Sequence, residues 1–304
     1  MPNFFSEDNI EQAMVQRLQH LYGYDALDCY TSDPADVQDG SGRADKREVI
    51  LRDRLKAAAV KLNPEIPESA IDDAVDQVCD RRQAMATIAG NRVLDGLIRD
   101  GVRVEFKDAR DTHGRIRKER VRLIDFDQPD NNHFLAVTQL WIQSTGAAAK
   151  AGYRRPDILL YINGLPLVFI ELKNSNVKLR SAYDDNLINY KADIPQLFLT
   201  NAFCVFSNGI ETRLGSLSAE WEHFFHWLRP DDEKEKVRRD QIRTEGTSAE
   251  RFLQGLCVKD KLLDYLENFV IYHKGSQKII AQNHQFIGVN RGFDKFLRRK
   301  EFGG

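Results

Sequence analysis

The sequence predicts an α/β protein with a central mixed β-sheet flanked by helices. Apolar residues recur at helical spacing through most of the first hundred positions. Short β-branched and aromatic runs begin at Val102, and further helical segments interrupt and follow these runs. The 304 residues are 42% hydrophobic and 30% charged, with a formal net charge of −2. This composition excludes disordered, collagen-like and coiled-coil chains.

The N-terminal third, about residues 1–100, is predicted to be mostly helical. Apolar residues at helical spacing follow Asp8, and Gly23 is expected to end this first helix. Further helical periodicity covers 46–60 and 69–100, and the two prolines between these segments cannot continue a helix.

The following part of the chain is predicted to form the sheet. The predicted strands are Val102–Phe106, Val121–Phe126, Phe134–Ile142, Ile158–Ile162, Leu167–Leu172 and Phe203–Ser207. Helices are predicted over Ala182–Tyr190, over Ser218–Leu228, from Thr247 or Ser248 to Leu256, and over Lys259–Val270. The charged stretch at 231–240 is interpreted as a solvated connector or helix face.

Several classes of protein are excluded by what the sequence lacks. The four cysteines are far apart and form no Cys-x-x-Cys pair, so neither a disulfide framework nor a thiolate zinc site is expected. No apolar stretch is long enough to span a membrane, and the N-terminus has no signal-peptide layout. We expect a cytoplasmic protein without a membrane partner.

The most informative segment is a predicted β-hairpin around Asn163-Gly164. Two apolar runs flank this dipeptide, which is a strong hairpin signal, and Asp157 and Glu171 stand at the far ends of the two runs. A hairpin brings those ends together. Because side chains alternate between the faces of a strand, the turn decides whether the two carboxylates share a face.

Two registers are compatible with this turn. With a plain two-residue turn, Asp157 would oppose Ile170, and Glu171 would point to the other face. With a three-residue loop and a bulge at a left-handed Gly164, Asp157 would oppose Phe169 and share a face with Glu171 and Lys173. We favour the three-residue loop, since it alone brings the charged groups together.

On one face, these groups would suit metal-dependent phosphodiester hydrolysis. The two carboxylates form a hard oxygen site for Mg²⁺, with the backbone carbonyl of Leu172 as a further ligand. Lys173 could orient or help to deprotonate the attacking water and offset charge on a phosphate oxygen. The alternative is that Asp157 and Glu171 are solvated strand ends and that Glu171 and Lys173 form a surface pair. The pattern alone leaves both interpretations open.

The hairpin also resembles a known family. Pro156-Asp157, followed after 13 residues by Glu171-Leu172-Lys173, is similar to the PD-(D/E)xK nuclease signature. The wider sequence resembles the motor/endonuclease (R) subunit of type I restriction enzymes. The likeness covers 6–11, 22–24, 121–139, 163–167, 186–191, 194–198, 207–209, 268–269 and 284–286.

The resemblance implies a restriction-endonuclease-like fold, Mg²⁺ dependence and action on double-stranded DNA. In a complete family member it also implies ATP-driven translocation in a complex with modification and specificity subunits. The 304 residues contain no Gly-x-x-x-x-Gly-Lys-[Ser/Thr] motif, so we expect no ATP-binding residues here and ATP only for a full-length protein.

The resemblance suggests a division of the chain into two parts. Residues 1–257 are expected to form the nuclease domain, with the catalytic sheet at about 101–215. Residues 258–304 are expected to be a helical connector leading to a motor outside these residues. The chain is interpreted as an N-terminal nuclease fragment or a natural truncation.

Three residues are candidates for supporting the site. The family often carries Gln-x-x-x-Tyr after the lysine, and this chain has Asn186 and Tyr190, which would share a helix face. They could hold the nucleic-acid backbone or the catalytic groups, although Tyr190 could equally pack in the core. Glu11 matches an acidic residue on the family's first helix that approaches the metal. The favoured alternative is a capping box, with Asp8 as N-cap and Glu11 as its partner.

Basic residues near the hairpin are candidates for contacts with DNA phosphates. They are Arg154, Arg155, Lys173, Lys178, Arg180 and Lys191. Since the net charge is −2, any attraction for DNA must be local. The alternative is that these are ordinary solubilising charges. We find no sequence-reading motif, so cleavage is expected to be blind to sequence. A stand-alone repair or recombination nuclease and a non-catalytic docking module of the restriction complex remain as alternative functions.

Overall fold

The computed structural model describes residues 5–80, 82, 84–107, 115–145, 152–232 and 234–301. The strands are β1 (Asp25–Asp28), β2 (Val102–Lys107), β3 (Ile116–Val121), β4 (Phe134–Thr138), β5 (Ile142–Gln143), β6 (Tyr153–Arg154), β7 (Ile158–Ile162), β8 (Leu165–Leu172), β9 (Phe203–Ser207), β10 (Thr212–Gly215), β11 (Phe225–His226), β12 (Val270–His273) and β13 (Gln277–Ile280). The α-helices are α1 (Glu7–Tyr22), α2 (Arg52–Leu62), α3 (Glu68–Cys79), α4 (Thr87–Asp100), α5 (Ile188–Asp193), α6 (Arg239–Glu245), α7 (Ser248–Phe252), α8 (Lys259–Asn268) and α9 (Asn283–Glu301). In this part of the chain, no helix is long and apolar enough to cross a membrane.

A mixed seven-stranded sheet forms the centre of the fold, which confirms the predicted α/β class. Its strand order is β1-β4-β7-β8-β9-β10-β11, in which β1 runs parallel to β4, β8 runs parallel to β9, and the other neighbours are antiparallel. Every residue of β7 and β8 is buried, because both faces of the sheet are covered. One face packs against α1 to α4, α7 and α8, and the other against the loop before α2 and the segment 179–198.

The first helix begins at a different cap from the predicted one. Ser6 is the N-cap, and its hydroxyl accepts a hydrogen bond from the backbone N–H of Asn9 at 3.2 Å. The predicted capping box, with Asp8 as N-cap and Glu11 as its partner, is therefore wrong, because the serine hydroxyl already occupies the capping position. Gly23 ends the helix in the left-handed region, with φ 67°, as predicted.

The second predicted helix, 46–60, begins late because the residues before it form a buried ionic cluster. Asp39 lies within 2.7 Å of Arg43 and 2.8 Å of Lys46, and none of the three side chains is more than 3% exposed. The Arg43 guanidinium also donates to the carbonyls of Glu48 and Trp141, at 2.9 and 3.1 Å. These contacts hold the chain in an irregular conformation up to the start of α2.

Three other predicted elements differ from the structure. The predicted strand Val121–Phe126 is wrong, since β3 ends at Val121 and the amides of Arg122 and Asp125 bind side-chain oxygens instead of a neighbouring strand. The predicted strand Phe134–Ile142 is interrupted at Gln139, which has a positive φ of 55°. The predicted helix 69–100 is two helices, α3 and α4.

The predicted helix Ser218–Leu228 is also wrong. The segment forms a 3-10 turn, Trp221–His223, followed by the short strand β11. Phe224 lies against Gly215, where a Cβ atom would be only 2.7 Å from the phenyl ring, and Trp227 is fully buried. Phe224 and Trp227 belong to two different hydrophobic cores. Residues three positions apart on a helix lie on the same face, so burying the two rings in different cores requires a chain more extended than a helix.

Residues 258–301 are helical only in part. After α8, the chain forms the hairpin β12–β13, which the sequence interpretation missed, and then α9. Tyr265, Val270 and Phe286 join the same core as α1 and the central sheet. Lys278 of the hairpin is buried and donates to Asn91 Oδ1 at 3.0 Å and to the carbonyl of Asn201 at 2.6 Å.

Replacing Lys278 with methionine is expected to change how stability depends on pH. Burial lowers the pKa of Lys278 to about 8, while the unfolded chain keeps a lysine pKa near 10.4. Between these values the unfolded chain binds more protons, so the free energy of unfolding should rise with pH. Lys278→Met should remove this rise, as measured by denaturant unfolding across that window. The exposed Lys118→Met serves as the control, and the same pH dependence in both variants would contradict the prediction.

Candidate functional site

The candidate site is built on the hairpin formed by β7 and β8. Asn163 and Gly164 both have positive φ, 52° and 83°, and Ile162 pairs with Leu165, so the connection is a two-residue turn. The predicted three-residue loop is therefore wrong. A Cβ atom on Gly164 would lie 2.5 Å from the carbonyl oxygen of Leu51, so the turn fits against the start of α2 only with glycine.

A bulge lies farther along the hairpin, in β8. Tyr161 pairs with Pro166, but Leu160 pairs with Val168, which leaves Leu167 as an extra residue. Consistent with this, the consecutive residues Leu167 and Val168 both point into the same core. Pro166 has no amide hydrogen to continue the ladder, which is why an irregularity is tolerated next to it.

The bulge turns the catalytic candidates to a common face. Ile158 pairs with Ile170, so the next residues outward, Asp157 and Glu171, stand opposite each other. The backbone N–H of Leu172 donates to Asp157 Oδ2 at 2.7 Å, and Lys173 Nζ lies 3.5 Å from Glu171 Oε1. The structure therefore brings the three groups together, as the sequence interpretation expected, although by a different register.

Glu171 is the most deeply placed of these groups. It is 2% exposed, and its Oε1 accepts hydrogen bonds from Lys173 and from the side-chain amide of Asn186. Its Oε2 is buried and has no hydrogen-bond partner among the described residues. A buried, unsatisfied carboxylate oxygen is rare in proteins and fits a position where an ion or water is bound.

Burial disfavours the charged forms of both carboxylates, and a nearby negative charge adds to this effect at each of them. Burial raises the pKa of Glu171 well above its usual value, and the neighbouring charge of Asp157 raises it further, against the effect of Lys173 and Asn186. Burial also raises the pKa of Asp157 to about 6, despite the hydrogen bond from Leu172 and the charge of Lys173. A divalent cation between the two would relieve this cost.

The donor atoms fit Mg²⁺ better than a softer metal. Two carboxylates and a backbone carbonyl are hard oxygen donors, and Mg²⁺ commonly takes few protein ligands and keeps several waters. Within the described ranges, no three His, Cys, Asp or Glu side chains are grouped as a metal site. A metal here would therefore be held by Asp157, Glu171 and the Leu172 carbonyl, with water completing the shell.

Glu11 lies near the site but is engaged with another side chain. Its Oε2 accepts a hydrogen bond from Gln139 Nε2 at 2.5 Å. Burial raises the pKa of Glu11 to about 7, and the charges of Asp157 and Asp28 add to this effect, against the hydrogen bond from Gln139. Glu11 is thus close enough to interact electrostatically with Asp157. Its predicted role as a metal ligand stays a prediction.

Two further residues next to the site were missed. Gln139 bonds to Glu11, and its backbone N–H donates to the carbonyl of Asp157 at 3.1 Å. Glu7 exchanges two hydrogen bonds with Asn174, the residue after Lys173, at 3.1 and 3.2 Å. The available signal for Gln139 was its position just after the buried strand β4, which neighbours β7.

The helical segment after the hairpin places Asn186 and Tyr190 as a pair on the site. Residues Ala182–Leu187 form a π-helix, a conformation often found at functional sites, and Asn186 within it reaches Glu171. Tyr190 donates its hydroxyl hydrogen to the carbonyl of Arg155 at 3.2 Å, and its ring meets Phe169 edge-on. Tyr190 therefore packs in the core and also tethers the chain just before Asp157.

Most of the predicted basic residues already have partners in the protein. Arg154 binds Asp193 at 2.5 Å, and Arg180 lies 3.2 Å from Asp184. Arg155 stacks over an aromatic pair at the site's edge. The centre of its guanidinium is 4.7 Å from the ring centroid of Trp141 and 5.3 Å from that of Tyr30.

The other two basic residues differ in position. Lys178 is exposed and lines a cavity beyond the end of β8. The charge of Lys191 acts on the thiol of Cys204, so Lys191 lies near the start of β9. The catalytic candidates lie beside the other end of that strand, where Glu171 pairs with Phe206. Lys178 is therefore better placed than Lys191 for contact with a substrate at the site.

Comparison with known proteins gives a consistent family assignment. The family described as type I restriction enzyme R protein N terminus matches residues 4–223. The chain is 38% identical over 305 aligned positions to the type I restriction enzyme HindI endonuclease subunit of Haemophilus influenzae, covering 96% of this chain and 27% of the relative. It is 31% identical to the putative type I restriction enzyme MjaIXP endonuclease subunit of Methanocaldococcus jannaschii, covering 97% and 28%. The chain thus spans about a quarter of the length of these relatives, and it belongs to the family of type I restriction enzyme R protein N-terminal regions.

Proposed function

We propose that this chain is the nuclease part of a type I restriction R subunit and hydrolyses DNA phosphodiesters with Mg²⁺. The observation that carries this proposal is the convergence of Asp157, Glu171 and Lys173 around a buried carboxylate oxygen that has no hydrogen-bond partner among the described residues. Mg²⁺ held by Asp157, Glu171 and the Leu172 carbonyl would supply Lewis-acid chemistry at a phosphoryl oxygen. The names of the relatives, endonuclease subunits of type I restriction enzymes, agree with this function.

The chain's own groups have separate tasks in the proposed reaction. Lys173 Nζ lies 3.5 Å from Glu171 Oε1, and the Lys173 side chain is 17% exposed, so its Nζ can reach a water or a phosphate oxygen at the protein surface. In its charged form it would stabilise the negative charge that develops in the transition state. Asn186 holds Glu171 in position, and Tyr190 tethers the backbone before Asp157.

The same proposal extends to the partners of the whole protein. We propose that the substrate is double-stranded DNA, cut without sequence reading by this part of the protein. In the full-length R subunit, ATP-driven translocation would depend on residues outside this chain. Modification and specificity subunits would supply the recognition of sites.

A metal-binding experiment tests the proposed site directly. In isothermal titration calorimetry we expect Mg²⁺ to bind the wild-type chain and to bind Glu171→Gln at least about tenfold more weakly, since one of two charged ligands is lost. Glu105→Gln, which removes an exposed carboxylate from β2, is the matched control and should bind like the wild type. Equal affinities for all three proteins would show that Glu171 holds no metal.

A further inference from the structure

A polar cavity of about 580 Å³ lies beside the candidate site, at the same edge of the central sheet. It is lined by the residues that follow Lys173, by the turn after β9 and by one side of α6. The backbone N–H of Lys173 donates to the carbonyl of Ser207 at 2.9 Å, which joins the ends of β8 and β9. Because these strands are parallel, their carboxyl ends meet at one edge, and the cavity continues that edge away from Lys173.

The cavity carries an excess of positive charge. Lys178, Arg239 and Arg243 line it, all three are exposed, and none forms an ion pair with a carboxylate in the described ranges. One carboxylate of the lining, Glu211, is already paired with Arg213 at 2.6 Å and with His226 at 3.4 Å. The other carboxylate of the lining is that of Asp240. The cavity therefore has three cations and one free carboxylate.

The two arginines are held side by side by α6. Arg239 and Arg243 stand four residues apart, so they occupy neighbouring positions on one helix face, while Ile242 is buried against the protein. Arginine presents a planar fork of donors that matches phosphate oxygens. A pair of such forks beside a lysine is suited to successive phosphates of a nucleic-acid strand.

We propose that this cavity, the α6 groove, binds the DNA backbone a few phosphates away from the scissile bond. The inference rests on the proposed nuclease function of the neighbouring site. Adjacent strands of a sheet are about 4.8 Å apart, and the α6 groove begins one strand beyond β8. Since each strand of B-DNA carries a phosphate about every 3.4 Å of axis, a step of about 4.8 Å corresponds to one to two phosphates, and the groove continues from there away from the scissile bond.

A protein partner fits the α6 groove less well. The centres of protein–protein interfaces are depleted in charged residues and enriched in aromatic ones. The apolar lining residues Val177, Ile210 and Leu228 are only half-exposed, whereas the exposed members of the lining are the three cations and the polar residues Asn176 and Asp240. Contacts to DNA phosphates are made mainly by exposed basic and polar side chains, which this lining provides.

The test measures binding of a fluorescent random-sequence DNA duplex at several salt concentrations, with EDTA present to prevent cleavage. We expect Arg239→Gln/Arg243→Gln to lower the slope of log K against log salt by about two, since each phosphate contact contributes about 0.9. Lys178→Gln should lower it by about one. The control, Arg103→Gln/Lys107→Gln, removes the same charge from exposed positions of the separate β2–β3 sheet and should keep the wild-type slope.

The outcomes separate this inference from the proposed function. Equal slopes for the groove variants and the control would overturn the α6 groove as a DNA site. The same conclusion would hold if the groove variants lost binding to a protein partner while their DNA-binding slope stayed equal to that of the control. A wild-type chain that binds DNA through the groove but cuts nothing, alone or in the full-length subunit, would overturn the nuclease proposal and leave the groove standing. Unchanged Mg²⁺ titration of Arg239→Gln/Arg243→Gln would show that the metal site is intact in that variant.

Discussion

Lys173→Ala is expected to slow Mg²⁺-dependent DNA cleavage by a factor of about 10²–10³, the usual effect of removing a group that stabilises transition-state charge. Its Nζ is 3.5 Å from Glu171 Oε1, so its charge lies beside the proposed metal site. DNA affinity should change little, because a single phosphate contact is a small part of the total. Initial rates of plasmid cleavage, measured on this chain and on the full-length subunit, would show the loss.

Two further variants make this result specific. Asp157→Asn should be at least as slow, because it removes a charged metal ligand while keeping the shape of the side chain. Lys118→Ala, on the exposed strand β3, removes a lysine far from the hairpin in sequence and should cut like the wild type. Equal rates for the wild type, Lys173→Ala and Asp157→Asn would refute catalysis at this site and favour a docking role.

Asp39→Asn is expected to destabilise the protein by about 3–5 kcal/mol, because it leaves two buried cations without their counter-ion. The side chains of Asp39, Arg43 and Lys46 are 0%, 1% and 3% exposed. Burial by itself raises the pKa of Asp39, but hydrogen bonds from Lys46, Ser41 and Arg43 outweigh it and hold that pKa well below its usual value. The carboxylate is therefore strongly stabilised in its charged form.

The effect should also reach the candidate site. The loop that contains the ionic cluster supplies the carbonyl of Val49 to the Tyr161 hydroxyl at 2.9 Å, and the N–H of Leu51 to the carbonyl of Gly164 at 2.9 Å.

Urea unfolding measures the stability change of Asp39→Asn. The control Glu105→Gln, which breaks an exposed ion pair, should cost less than about 1 kcal/mol. A similar loss in the two variants would mean that the cluster contributes little.

The parts of the fold that were predicted from the sequence are those determined by local signals. The presence of a hairpin at Asn163-Gly164, the two-proline break after α2 and the glycine end of α1 each depend on residues adjacent to the feature, whereas the predicted length of the Asn163-Gly164 loop was wrong. The strand β11 was missed because the burial of Phe224 and Trp227 depends on distant partners such as Gly215. The hairpin β12–β13 was not predicted, although Gly275 between two β-branched runs is a local turn signal, and the structure gives this glycine a positive φ of 73°.

The same distinction holds for the candidate site. Asp157, Glu171 and Lys173 lie at the ends of one hairpin, so the spacing predicted that they approach each other. The face they share depends on the bulge at Leu167, which the spacing did not reveal. Gln139 and Glu11 meet across 128 positions, a contact that depends on the packing of α1 against the central sheet. No local pattern encodes such a contact, because it forms only after the helices have covered the sheet.

The bulge at Leu167 has a consequence for how the spacing of this motif can vary. Thirteen residues separate Asp157 from Glu171, and a two-residue turn leaves eleven, an odd number that two facing arms cannot share equally. One residue must stay outside the pairing if the acids are to meet. Loss of Leu167 alone would leave ten residues, five in each arm, so Asp157 and Glu171 would still stand opposite each other in a ladder without a bulge. Insertions or deletions in these arms should therefore preserve the site when they leave the two arms equal in length, or when a bulge takes up a single residue of difference.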